Sequence, residues 1–210
     1  MTSTLVAGPR DLPNAEDLVR RYCGMPWSGG PPETWAFPYF DLVPDPDPDF
    51  VQPIDVLACA ALHPGLTRRE LEYFERGAAE FEHWISELPT DLELADADAD
   101  VVARLGGLAL VTDQVSLTLL SKVAHRKRPR LVPIYERNVR DRYRRQLAKS
   151  PIPRWIDLIL ALRYDLRRSS NRDELLRIQD LIHAERLVDV SPLRLLDIAI
   201  WMDGNGPAGK

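Results

Sequence analysis

Glu136 is the residue of this chain with the most chemistry within reach. It stands in the run Tyr135-Glu136-Arg137-Asn138-Val139-Arg140, one carboxylate among cations. A fixed anion of this kind can stabilise positive charge developing in a bound ligand and activate water against it. Tyr135 adds a hydroxyl able to bond a phosphate or a base edge. Upstream lie Lys122, His125, Arg126, Lys127, Arg128 and Arg130. From Lys122 to Lys149 there are 11 Lys and Arg against 2 acidic residues, in a protein of net charge −5. Such segregation predicts an anionic partner, nucleic acid or nucleotide, gripped by these residues together with Arg137 and Arg140. Charge alone leaves a second reading open, in which the acidic remainder of the chain pairs with the same cations and the helix dipole favours some of them without any ligand. For Glu136 the matching alternative is a capping or salt-bridging carboxylate partnered by Arg137, Arg140 or Lys122.

No Ser-His-Asp set, phosphate-cradling glycine loop or H-E-x-x-H motif is present. Cys23 and Cys59 lack a CxxC partner or a His at ligand spacing, so neither a metal nor a disulfide is expected, and no cofactor is implied. His83 and His183 read as half-buried residues of amphipathic helices. Asp197 and Trp201 lie one turn apart on the last helix; Trp201 reads as core, and Asp197 on an apolar face calls for an arginine of the basic segment as partner. The start of the chain lacks a basic region followed by a long apolar run, and nothing approaches the roughly 20 apolar residues that span a bilayer. A cytoplasmic protein without a membrane partner is expected.

Amphipathic helix signals recur and no alternating strand pattern stands out, which predicts one all-α domain over 1–210, or two closely packed helical lobes, built as a bundle of eight or nine short helices. Thr67 with Glu70, and Asn171 with Glu174, have the form of capping boxes. Ser150-Pro151 and Ser191-Pro192 put a capping hydroxyl before a proline at the first helical position. Further helices are expected near 12–23, 53–63, 97–110, 113–126 and 133–148. Residues 24–52 form one long irregular segment, whose Trp35, Phe37 and Tyr39 either line a pocket or pin the loop to the core. Within it Asp45, Asp47 and Asp49 alternate with prolines, which reads as an extended, solvated linker rather than a cation site.

Val115-Ser116-Leu117-Thr118-Leu119-Leu120 and Tyr135-Glu136-Arg137-Asn138-Val139-Arg140 match the spacing of two motifs, V-G-x-K-T-A and V-D-T-H-V-x-R. Over this quarter of the chain the sequence resembles the helix-hairpin-helix DNA glycosylase superfamily. The resemblance implies a helix-hairpin-helix glycosylase-like fold, Glu136 at the catalytic acid position and Thr118 at the lysine position. A threonine cannot form a Schiff base, so hydrolysis without strand cleavage is implied. Ser116 replaces a hairpin glycine, which weakens the implied grip on a phosphate. A second run, Lys127-Arg128-Pro129-Arg130-Leu131-Val132-Pro133-Ile134-Tyr135-Glu136-Arg137, resembles an uncharacterised bacterial family with a K-R-P-x-L-x-P-x-Y-D/E-R motif that ends like Leu193 to Met202. The alternatives are an interaction module that docks an acidic partner or forms a homodimer, and a small-molecule enzyme that has reused the pocket.

Overall fold

The chain opens with an antiparallel hairpin, β1 (Thr4–Ala7) and β2 (Arg10–Pro13), with Leu5 opposite Leu12. The computed structural model describes residues 4–45, 47–63, 65–144 and 154–205. Strands of four residues are too short to display an alternating pattern, which is why the sequence does not announce them. The far end of the chain ties this hairpin down. Buried Asn171 accepts the Val6 N–H at 2.8 Å and donates to the Val6 carbonyl at 2.7 Å, while Asp165 accepts the Gly8 N–H at 2.6 Å. The expected capping box at Asn171 is not made, because the helix already begins at Ser169 and the Asn171 amide, inside its first turn, is committed to the hairpin.

Eleven α-helices follow among the described residues: α1 (Ala15–Tyr22), α2 (Phe37–Phe40), α3 (Pro53–Cys59), α4 (Arg68–Glu75), α5 (Ala79–Ser86), α6 (Ala99–Gly106), α7 (Leu117–Lys127), α8 (Arg137–Tyr143), α9 (Trp155–Arg167), α10 (Ser169–Arg186) and α11 (Pro192–Gly204). The class is all-α, as expected. The count exceeds eight or nine for two local reasons. Gly77, at φ 98, breaks the helix expected from Thr67 onward into α4 and α5, and a single turn, α2, forms within 24–52. The capping box at Thr67 and the cap at Ser191 are formed. The Ser150-Pro151 cap and the end of the 133–148 helix lie outside the described residues.

One cluster of buried apolar side chains runs through the molecule, and α11 is its axis, packed against α1, α8 and α10. Leu193 to Ile200 are all buried, so this helix is enclosed on every side, and its Arg194 and Asp197 must find partners inside. Cys23 and Cys59 are buried free thiols, and burial pushes both up to about 12. No described helix is long and apolar enough to cross a membrane.

Candidate functional site

The basic turn that ends α7 faces inward. Lys122, His125, Arg126, Lys127 and Arg128 are buried. Arg126 donates to Asp55 at 3.1 Å and to the carbonyls of Phe40 and Val43. Lys127 reaches Asp55 at 2.5 Å and Asp45 at 2.6 Å. Arg128 meets Asp49 at 2.7 Å and the carbonyls of Pro48, Leu88 and Ile85. These five are thereby corrected as a phosphate-gripping surface, because carboxylates and carbonyls of the chain itself take up their donors. The linker reading of 44–49 is corrected by the same contacts: the aspartates strap that segment across the end of α7. Arg130 is half-buried between Glu93 and Asp189, at 2.7 and 2.6 Å. Of the expected cations, exposed Arg137 and half-buried Arg140 remain beside Glu136, with Arg140 lying 4.8 Å over the Tyr135 ring. Tyr135 is a core wall, edge-on to Trp155, rather than a solvent-facing hydroxyl.

Glu136 is the N-cap residue of α8. Its carboxylate is ion-paired with Lys122 Nζ, which also donates to the Leu62 carbonyl at 2.5 Å. Two more side chains from the same face of α7 hold this corner. Thr118 Oγ1 donates to the Tyr135 carbonyl at 3.1 Å, and Ser121 Oγ accepts the Tyr135 N–H at 2.9 Å. Residues 118, 121 and 122 follow the i, i+3, i+4 spacing of one helix face, so α7 sets the position of Glu136 by its periodicity.

Glu136 opens on a narrow cleft with Tyr22, Leu62, Asp197, Ile198 and Trp201, whose free space of about 10 Å³ is close to that of one water molecule. Arg194 forms its floor. The guanidinium lies between the rings of Tyr22 and Phe40, 5.3 and 5.0 Å from their centroids. It donates to Asp41 at 2.6 Å, to the Tyr22 hydroxyl at 2.6 Å and to Asp197 Oδ2. The partner expected for Asp197 is thus corrected from the basic segment to Arg194, one turn away on α11. Asp197 Oδ1 is buried and has no hydrogen-bond partner among the described residues. Burial pushes this carboxyl up to about 6, against the pull of Arg194 and with the Glu136 charge adding to the rise.

The pocket aromatics divide. Trp35 stands edge-on to Trp201, their centroids 5.4 Å apart, and so backs a wall of the cleft without lining it. Phe37 is core packing against Tyr22, and Tyr39 is exposed, so neither lines the cleft. Trp201 is half-buried rather than fully in the core. His83 and His183 are exposed, not half-buried. Tyr22, Asp41 and Arg194 were not legible as site residues; the one available signal was Arg194 three residues before Asp197 in a mostly apolar helix. Among the described residues no three His, Cys, Asp or Glu side chains gather as a metal centre.

An all-α protein with two carboxylates on a narrow aromatic cleft is the class that fold and site define. The chain belongs to a family of unknown function, DUF6308, whose model matches residues 15–204, from the start of α1 to the end of α11. No curated protein and no solved structure matches it.

Proposed function

We propose that the protein is a hydrolytic N-glycosidase acting on a nucleoside or nucleotide, with Glu136 as the anion beside the sugar. The observation that carries this reading is the pairing at one cleft of Glu136, fixed by Lys122, with Asp197, whose unpaired Oδ1 is sealed while the cleft is this narrow and is uncovered as the cleft widens to admit a sugar. Two carboxylates in different environments divide the work of such a reaction. Glu136 stabilises positive charge on the sugar as the bond from its anomeric carbon to the base breaks and the electron pair leaves with the base nitrogen. A water oxygen bonds to that carbon, Asp197 takes the proton it releases, and the departing base receives it. Thr118 carries no amine and is hydrogen-bonded to the Tyr135 carbonyl, while Lys122 Nζ is engaged by Glu136 and the Leu62 carbonyl. Neither is free to form a Schiff base, which supports hydrolysis without strand cleavage. With the α7 cations buried, exposed Arg137, 3.6 Å from Asp141, and half-buried Arg140 are the cations next to Glu136 in the chain that a phosphate could meet. That favours a mononucleotide over a polymer.

The test is release of free base from nucleosides, nucleotides and lesion-bearing oligonucleotides. Glu136→Gln should keep the fold and lose about 10²–10³-fold in turnover, since the isosteric amide removes the charge that the transition state needs. Wild-type rate should climb as pH rises through about 6, as Asp197 becomes able to accept a proton, and Asp197→Asn should abolish that climb. No base release by the wild type across the panel, with Glu136→Gln less stable by about 1–3 kcal/mol, would leave Glu136 as a salt-bridging cap.

A further inference from the structure

On the other side of Arg194 from Glu136 lies a larger cleft of about 450 Å³, between the strap at Phe40–Asp45 and the α10–α11 connection at Leu187–Ser191. Its size falls in the range of small-molecule sites. His125 forms part of its lining and is itself only 3% exposed. The Nδ1 atom lies 2.7 Å from the Val132 carbonyl, which can only accept, so Nδ1 carries the proton and Nε2 presents a lone pair. Nε2 has no partner among the described residues, yet it is not among the buried polar atoms left sealed and unpaired. It therefore opens on the cleft. Burial, reinforced by the Arg194 charge, pulls this imidazole down to about 4, so the ring is a neutral acceptor throughout the physiological range.

The other polar groups of the cleft are already committed. Arg126 and Arg194 donate to the strap carbonyls and to Asp55, Asp41, Asp197 and Tyr22, while Asp45 and Asp189 accept from Lys127 and from Arg130. An ionic ligand would find no free counter-charge there. Ser191 donates to the Pro129 carbonyl, the remaining side chains of the walls are apolar, and Leu187 stands 83% exposed at the rim, at the left-handed φ of 58 that ends α10. We propose that this cleft is a second binding site, for a planar uncharged heterocycle that donates an N–H to His125 Nε2. It stands independently of the Glu136 reaction, although Arg194 lines both clefts.

The full chain, labelled with ¹⁵N in its histidine rings, is titrated with benzimidazole and uracil and with their N-methylated forms, 1-methylbenzimidazole and 1,3-dimethyluracil. The His125 signal is identified by its loss in His125→Asn, whose amide can keep the bond to Val132 while lacking an acceptor at the Nε2 position. At least one N–H probe should move the His125 Nε2 resonance, and its methylated counterpart should not. His125→Asn should weaken calorimetric binding of that probe by about tenfold. Val188→Trp, a change at the half-buried rim that leaves the buried charges alone, should fill the cleft and remove the shift. No shift with either N–H probe, equal shifts with the methylated forms, or a shift that survives Val188→Trp would each overturn the proposal.

Discussion

Arg194 is the residue on which the interior depends. An arginine enclosed at the centre of a helical protein is tolerated only when its donors are taken up, and here two carboxylates and a tyrosine hydroxyl do so. Asp41 has both oxygens engaged, whereas Asp197 keeps one unpaired, so the cost of burial falls on Asp197. Its carboxyl titrates near 6 in the fold rather than at the ordinary 3.8. The folded state thus holds that proton more tightly, and the stability this confers is complete below about 3.8 and lost as pH rises through about 6. Asp197→Asn stays neutral at every pH. The stability of the variant minus that of the wild type should therefore rise from acid to neutral pH in urea unfolding. A difference that stays flat would mean that Asp197 is ionised in the fold throughout.

At the scale of elements, α7 does two jobs with its two ends. Its first half positions the Tyr135–Glu136 corner through Thr118, Ser121 and Lys122, and its last turn fastens the strap and α3 through Arg126, Lys127 and Arg128. Asp55 is the keystone of the second set. It is fully buried, receives both Arg126 and Lys127, and accepts the Gln52 N–H at 2.8 Å at the start of α3. Asp55→Asn should cost about 3–5 kcal/mol in chemical denaturation, because two buried cations lose their compensating charge. Asp45→Asn, at the partly exposed rim of the same cluster, should cost about 0–1 kcal/mol. Equal losses in the two variants would show that the strap, and not Asp55, carries the cluster.

For the molecule as a whole, inward-facing cations change what the charge balance means. The net charge is −5, and Lys122, Arg126, Lys127 and Arg128 of the basic segment are buried along with Asp55, Glu70, Asp165 and Asp197, so the overall surface balance changes little while the segment ceases to be a cationic face. Polyanion binding depends on cations that can displace counterions from phosphates, and buried ones cannot. The folded protein should pass through phosphocellulose unretained at low salt. Retention that persists after Arg137→Ala and Arg140→Ala would mean that the α7 cations reach the surface after all.

The sequence by itself determined what depends on near neighbours. The all-α class, the caps at Thr67 and Ser191, and the location of Glu136 at a helix start with Lys122 among its candidate partners follow from spacings of a few residues. Local backbone hydrogen bonding and i, i+3, i+4 periodicity decide such features. The tertiary structure decided which way the charges face. Arg126 finds Asp55 across 71 residues, and Asn171 finds Val6 across 165. A run of arginines reads the same whether solvent, phosphate or a distant aspartate neutralises it. Only the path of the strap over the end of α7 brings the carboxylates within hydrogen-bond reach, and at that range burial turns an apparent binding face into interior structure.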